Sequence, residues 1–341
     1  MTGGSAARFL FLTYNPDAPS FRYRLAPVIA ELRARGHECA TVRLPSGHYG
    51  RRLWAVRDAL QAADVVMLAK VNLTPPEPRL LRRWARRLAF DFDDSIYLRR
   101  PRTLGSPPGD SRWRRFKFAS TCRAMDLVIA GNETLAAVAR PHAARVTVVP
   151  TPVDVSRYGL SAPDADRAPT VVWIGRPENL DYLELIRPAL ARLSSRWPSL
   201  QLRVICSSFP DWHDVRIDRV AWSPESEVQG LMTADIGVMP LTDDEWTRGK
   251  CAFKLLQYSA AALPCVATDI GANREAVIDG VTGYLARSPQ DWERALAGLL
   301  ESAERRVQFG LAGRAHIESR FDAKVVSGLT AKLLLDLAQP A

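Results

Sequence analysis

The chain has 341 residues, 47% of them hydrophobic and 24% charged, with a net charge of +9. That is enough for two buried cores rather than one. No apolar run nears the roughly 18 to 20 residues of a membrane span, and "MTGGSAARFLFLTYN" enters a strand without the layout of a secretion signal. A cytoplasmic protein is therefore expected. Five cysteines (Cys39, Cys122, Cys206, Cys251, Cys265) and histidines such as His142 and His213 show no metal-ligand spacing, so reduced thiols fit better than disulfides or zinc.

Residues 1 to 160 carry 26 basic against 13 acidic side chains, and residues 161 to 341 carry 20 against 24. The first half should therefore favour an anionic partner, unless its arginines are merely solvated.

In chain order, "RFLFLTYN", "ECATVRL", "DVVMLAK", "LAFDFDD", "DLVIAGN" and "RVTVVP" read as six short buried strands separated by helical or long connections. "TVVWIG", "LQLRVIC", "IGVMPL" and "PCVATDIG" repeat the pattern after a break. The break is "PTPVDVSRYGLSAPDADRAPT", where Pro150, Pro152, Pro163, Pro169 and Gly159 end any periodicity. Regular alternation implies an α/β chain with two doubly wound parallel sheets and a cleft between their carboxyl ends. The last helix, "FDAKVVSGLTAKLLLDLA", is amphipathic with Val325, Val326, Leu329 and Leu333 near one face, and needs a partner surface.

Several motifs lie at strand ends. "APSFRYRL" places Ser20, Arg22 and Arg24 after the first strand, where arginines can reach a phosphate or an anionic acceptor, or simply face solvent. In "DFDDS", Asp91 and Asp93 share one face of the strand end and read as a cation-holding DxD, while Asp93 or Asp94 could instead orient an acceptor hydroxyl or cap a turn. Asn132 in "AGNETL" is an N-cap candidate. "RLLRRWARR" and "SRWRRFKF" set Trp84, Trp113, Phe116 and Phe118 among arginines, which suits an anionic bilayer, RNA, or helices whose aromatic residues face the core.

"RGKCAFKLLQYSA" is the most informative stretch. At 100° per residue, Lys250, Lys254 and Gln257 fall within about 60° on one helix, and like charges at i and i+4 repel without an anion between them. Gly249 would allow close backbone approach before the helix, where free N–H groups favour phosphate. A diphosphate satisfies all three features. A Walker A loop is excluded, because Asp244 and Cys251 stand where its first glycine and its Ser or Thr belong.

From Ala234 to Ala286 the chain resembles the donor-binding stretch of glycosyltransferase family 4, and "VVWIGRPENLDYL", "DLVIAGNETLAAVA" and "VVPTPVDVSRY" are also similar to that family. The resemblance implies the two-domain GT-B fold: an acceptor domain at 1–160, a donor domain at 161–320, and a final segment, 321–341, returning to the first domain. It implies retaining transfer of a sugar from a nucleotide diphosphate donor to a glycan or glycolipid hydroxyl, in cell-surface polysaccharide synthesis, without a structural metal. It places Gly175 and Arg176 at the diphosphate, with Asp181 where a lysine is expected. The family's two glutamates align with Gly249 and Gln257; Gln257 can hold the donor ribose through neutral hydrogen bonds, whereas Gly249 cannot replace the acid that contacts the sugar. Arg176 and Lys250 become the expected catalytic cations, Asp93 the acceptor-orienting carboxylate, and Gly175, Gly249, Lys254, Gln257, Ser20 and Arg22 further donor contacts. Base contacts would come from the region around "VAWSPESE". The partners implied are a nucleotide sugar, a glycan or lipid-linked acceptor and an anionic membrane surface, with nucleic acid not favoured. A catalytically silent protein on the same fold, or an epimerase or hydrolase, stays open.

Overall fold

A computed structural model describes residues 6–45, 47, 49–160 and 167–339. Part of the proline-rich break, including Pro163, lies outside the described residues.

The first sheet contains β1 (Arg8–Thr13), β2 (Glu38–Arg43), β3 (Val65–Ala69), β4 (Leu88–Phe92), β5 (Leu127–Ala130) and β6 (Val146–Val148), in the order β2-β1-β3-β4-β5-β6. The second contains β7 (Thr170–Ile174), β8 (Gln201–Cys206), β9 (Arg216–Ala221), β10 (Ile236–Met239), β11 (Cys265–Thr268) and β12 (Gly283–Ala286), in the order β12-β11-β10-β7-β8-β9. Every strand pair is parallel. Strands β3, β4, β5 and β7 are buried along their whole length, as expected where helices cover both faces.

Each sheet has a switch point, β1/β3 in the first and β7/β10 in the second, where successive connections leave toward opposite edges. The cleft opens there, at the carboxyl ends of both sheets. Ten strands coincide with the apolar runs of the sequence. The other two, β9 and β12, are the edges of the second sheet; β9 alternates charged and half-buried residues, so it lacks an apolar run.

After the helix Ala303–Arg320 the chain crosses back. Val153 bridges Asp322, and the helix Ala323–Ala338 packs on the helix Ala26–Ala34 of the first sheet. The expected apolar face is corrected by rotation. Val325 and Leu329 are exposed, while Val326, Ala331, Leu334 and Leu337 join Phe9, Val28 and Leu32 in one core. The stripe follows i, i+5, i+8 and i+11, with Ser327 and Thr330 also buried within it.

Candidate active site

A cleft of about 700 Å3 is lined from the first domain by residues after β1, β3 and β4, and from the second by residues after β7, by Glu227 and by Lys250 to Gln257. The second-domain wall begins at the end of β7, where Gly175 and Arg176 turn the chain. Gly175 has no room for a side chain: a Cβ there would collide with the Trp173 ring and lie 3.1 Å from Lys254 Cε. Lys254 therefore extends across this turn, its ammonium 5.4 Å from the Trp173 ring centroid. Arg176 stands exposed at the rim and has no ion-pair partner among the described residues.

The single-helix reading of the lysines is corrected. A short helix, Glu245–Arg248, ends at Gly249; Ala252 is left-handed at φ 53°, and the next helix, Phe253–Ala260, starts only after it. Lys254 and Gln257 are helical, but Lys250 lies on the connecting turn. The two lysines still line one cleft. Lys250 Nζ is held 5.9 Å from the Trp246 ring centroid and 6.0 Å from that of Tyr182. Neither lysine has a carboxylate within ion-pair distance among the described residues. Burial, reinforced by the Lys250 charge, pushes Lys254 down to about 7, and burial also lowers Lys250.

The reading of Gly249 as a phosphate approach is also corrected. A Cβ there would strike Ser95 Oγ and come within 3.1 Å of Leu135, both in the first domain. Its φ of −79° is ordinary, so close packing across the domain junction is what requires glycine. First-domain groups clasp this whole turn. Asn132 caps its own helix by accepting from the Leu135 N–H at 2.9 Å and donates through Nδ2 to the Lys250 carbonyl at 3.0 Å. Ser95 Oγ donates to the carbonyls of Glu245 and Trp246, and Cys251 Sγ to that of Asp93 at 3.3 Å. The burial that encloses Cys251 pushes its thiol up to about 12, so it remains protonated and donates.

On the first-domain wall, Ser20 and Arg22 reach the cleft but Arg24 does not. Arg24 is buried, forked onto Asp91 at 2.6 and 3.0 Å, and donates further to the Val149 carbonyl and Thr151. Asp93 and Asp94 face the cleft and hold Lys70 at 2.9 and 3.4 Å. Although burial acts against it, Lys70 and Arg24 keep Asp93 below the usual carboxylate range. Asp91 and Asp93 are thus each committed to a separate cation and do not converge as a DxD. Arg22 and Arg100 line the same wall without an ion-pair partner among the described residues. Asp181 is exposed and away from the cleft lining.

Sequence reasoning passed over Glu227. This residue is 2% exposed yet lines the cleft beside Gln257, whose Nε2 donates to its Oε1 at 2.8 Å. Its signal was an acid at a core-facing position of the helix Pro224–Met232, three and four residues before the buried Gly230 and Leu231. In the first turn, an acid is easily read as a partner of the helix dipole instead.

Residues 168–302 match a family model described as glycosyl transferases group 1. A D-inositol 3-phosphate glycosyltransferase of Nocardia farcinica is 28% identical over 213 residues, 54% of this chain and 46% of that protein. One from Corynebacterium aurimucosum is 28% identical over 167 residues, 43% of this chain and 38% of that protein. The matches therefore span less than half the length of these curated relatives. Among solved structures, sucrose-phosphate synthase from Thermosynechococcus elongatus superposes with a TM-score of 0.72 at 15% identity, covering 97% of this chain and 99% of that one. Anabaena Alr3699/HepE in complex with UDP-glucose superposes at 0.68 with 14% identity, covering 96% and 99%. These likenesses establish the two-domain GT-B fold.

Proposed function

Because the chain carries a group 1 glycosyltransferase domain, residues 168–302, on a GT-B fold, we propose that it transfers a sugar, with retention, from a nucleotide diphosphate donor to an acceptor hydroxyl. The observation that supports this most is the pair of lysines, Lys250 and Lys254, lining the donor-domain wall with no carboxylate at ion-pair distance among the described residues. Two partly buried ammonium groups side by side are unfavourable until an anion of matching charge enters. A diphosphate supplies that charge, and Arg176 closes on it from the turn after β7.

The chemistry follows from where charge develops. Cleaving the bond between sugar and diphosphate builds negative charge on the leaving oxygen, and cations already in place stabilise it without reorganising. Arg176, Lys250 and Lys254 serve there. With three cations available, we expect donor cleavage to need no divalent metal, which activity retained in EDTA would support. Asp93, fixed by Lys70, orients the acceptor hydroxyl from the opposite wall.

The acceptor in this reading is a glycan or glycolipid on the route to cell-surface polysaccharide. Arg22 and Arg100 on the acceptor wall favour one that carries negative charge. The curated relatives named above act, by their names, on D-inositol 3-phosphate, so that compound belongs in the acceptor panel. The test is calorimetric titration of the full chain with UDP, GDP, dTDP and CDP, followed by turnover assays with sugars of the nucleotide that binds. One nucleotide binding tightly, and binding lost in Lys250→Ala/Lys254→Ala, is the expected result; a folded protein that binds none would refute the proposal.

A further inference from the structure

The acid that the sequence lacks on the helix Phe253–Ala260 is present in space on another element. Glu227 Oε1 accepts from Tyr158 Oη at 3.0 Å and from Gln257 Nε2 at 2.8 Å, while Oε2 accepts from Trp222 Nε1 at 3.0 Å. Arg157 adds a cation 3.8 Å from Oε1. A buried acid is costly unless it is surrounded by donors, and here three converge on it. Had position 257 also been an acid, two carboxylates would have met at hydrogen-bond distance; as glutamine it donates instead. The amide at 257 and the acid at 227 therefore form one arrangement.

A carboxylate has about four acceptor positions. Among the described residues three are filled, both of those on Oε1 and one on Oε2. The position left on Oε2 belongs to a residue that lines the cleft. Acceptor-only chemistry beside a cationic pocket does not suit a phosphate; it suits a hydroxyl on a group attached to one. The direction along the cleft identifies which group. Lys250 sits on the turn that Asn132 clasps from the acceptor domain, so the reacting sugar belongs near that end. Gln257 lies one turn beyond Lys254, within the donor domain.

We infer that Glu227 is the ribose-recognition residue of the donor site: its free Oε2 lone pair accepts a hydrogen bond from a 2′- or 3′-hydroxyl, while Gln257, Tyr158 and Trp222 hold the carboxylate in place. The inference rests on the nucleotide-sugar reading above. Tyr158 comes from the interdomain connection and Trp222 from the end of β9, so the site draws on three separate stretches of chain. Trp222, 44% exposed with its indole nitrogen tied to Glu227, is held at the cleft by the same carboxylate.

The test uses the full chain and the nucleoside diphosphate that binds best among UDP, GDP, ADP and CDP, beside its 2′-deoxy and 3′-deoxy forms. Wild type is expected to bind at least one deoxy form about 10- to 100-fold more weakly, the worth of a hydrogen bond to a charged group. In E227Q that ratio should collapse toward one. Equal binding of all three forms by wild type overturns the assignment without any variant, and so does full discrimination retained by E227Q. If affinity is indifferent to the ribose hydroxyls but falls in E227Q only for the sugar-bearing nucleotide, the carboxylate serves the transferred sugar and the inference fails while the donor reading stands. If wild type binds no nucleoside diphosphate, both fall together.

Discussion

Lys254 is where binding and stability oppose each other within one side chain. Its ordinary value of 10.5 falls to about 7 in the folded protein, first through burial and then through Lys250. Between those values the unfolded chain binds more protons than the native one, so this residue makes stability rise with pH across that window. Lys254→Met keeps most of the stem and removes the charge. Its melting temperature at pH 6 should therefore exceed wild type, while nucleoside diphosphate affinity falls at least about 100-fold, the scale of losing a charge-assisted contact in such a site. A variant with lowered stability and intact binding would contradict the assignment. Proton linkage gives a second check. A bound diphosphate raises the Lys254 value, so its contribution is fully present below about pH 7 and is lost as pH climbs through the value in the complex. Above pH 7.5, where terminal phosphates with a pKa of about 6 have finished ionising, the dissociation constant should rise with pH. Calorimetry in buffers of different ionisation enthalpy should then show proton uptake on binding; no uptake would mean that Lys254 does not face the anion. That the two lysines line one cleft was readable from "RGKCAFKLLQYSA". That they sit on separate elements was not, because the left-handed residue between them is an alanine, without the glycine that usually announces such a conformation.

The element that carries Lys250 belongs to the second domain but is held in place by the first. Gly249, Lys250 and Cys251 form a turn fixed by Asn132 and the Asp93 carbonyl, while Ser95 holds the short helix just before it. A methyl group at Gly249 would meet Ser95 Oγ, so Gly249→Ala should lower stability by about 1–3 kcal/mol, as overpacking does. It should also lower kcat/KM by roughly tenfold or more by displacing Lys250. Adding Ser95→Ala removes the hydroxyl in the way; partial recovery of melting temperature and activity in the double variant is expected, and strictly additive losses would argue against the contact. The same packing explains how much of the site was legible. Strand ends and their polar residues follow from alternating apolar runs, which put Asp93 and Arg22 near the cleft mouth, while Gly175 and Arg176 came from the family resemblance. Contacts between domains leave no periodic trace, so Gly249 read as a phosphate approach and Glu227 was passed over. Arg24 was ambiguous for a related reason: nothing local distinguishes an arginine forked onto a buried aspartate 67 residues away from one facing solvent.

At the scale of the molecule, the basic half presents one open face. The helix Ala26–Ala34 and the returning helix Ala323–Ala338 share a core on one side of the first sheet. Leu53, Leu60, Leu81 and Phe118 mark the helices packed on the other side. Phe118 is therefore core, but Trp54, Trp113 and Phe116 are 58%, 54% and 50% exposed. Trp54 meets Trp84 edge-on, Trp113 leans on Phe116, and Arg51, Arg52, Arg83 and Arg112 stand in the same helices. No helix among the described residues is long and apolar enough to cross a membrane. Amphipathic rings suit the headgroup layer, and each arginine near an anionic surface adds about 1 kcal/mol that salt screens. The full chain should therefore float with vesicles containing phosphatidylglycerol, float less with pure phosphatidylcholine, and lose its attachment as salt rises from 50 to 500 mM, where the screening length falls to about half a nanometre. Trp54→Ala/Trp113→Ala/Phe116→Ala should weaken flotation about tenfold or more while leaving nucleotide affinity unchanged, because none of the three lines the cleft. Equal recovery with both vesicle types, or a triple variant that floats like wild type, would mean that these aromatic residues do not hold the first domain against a bilayer.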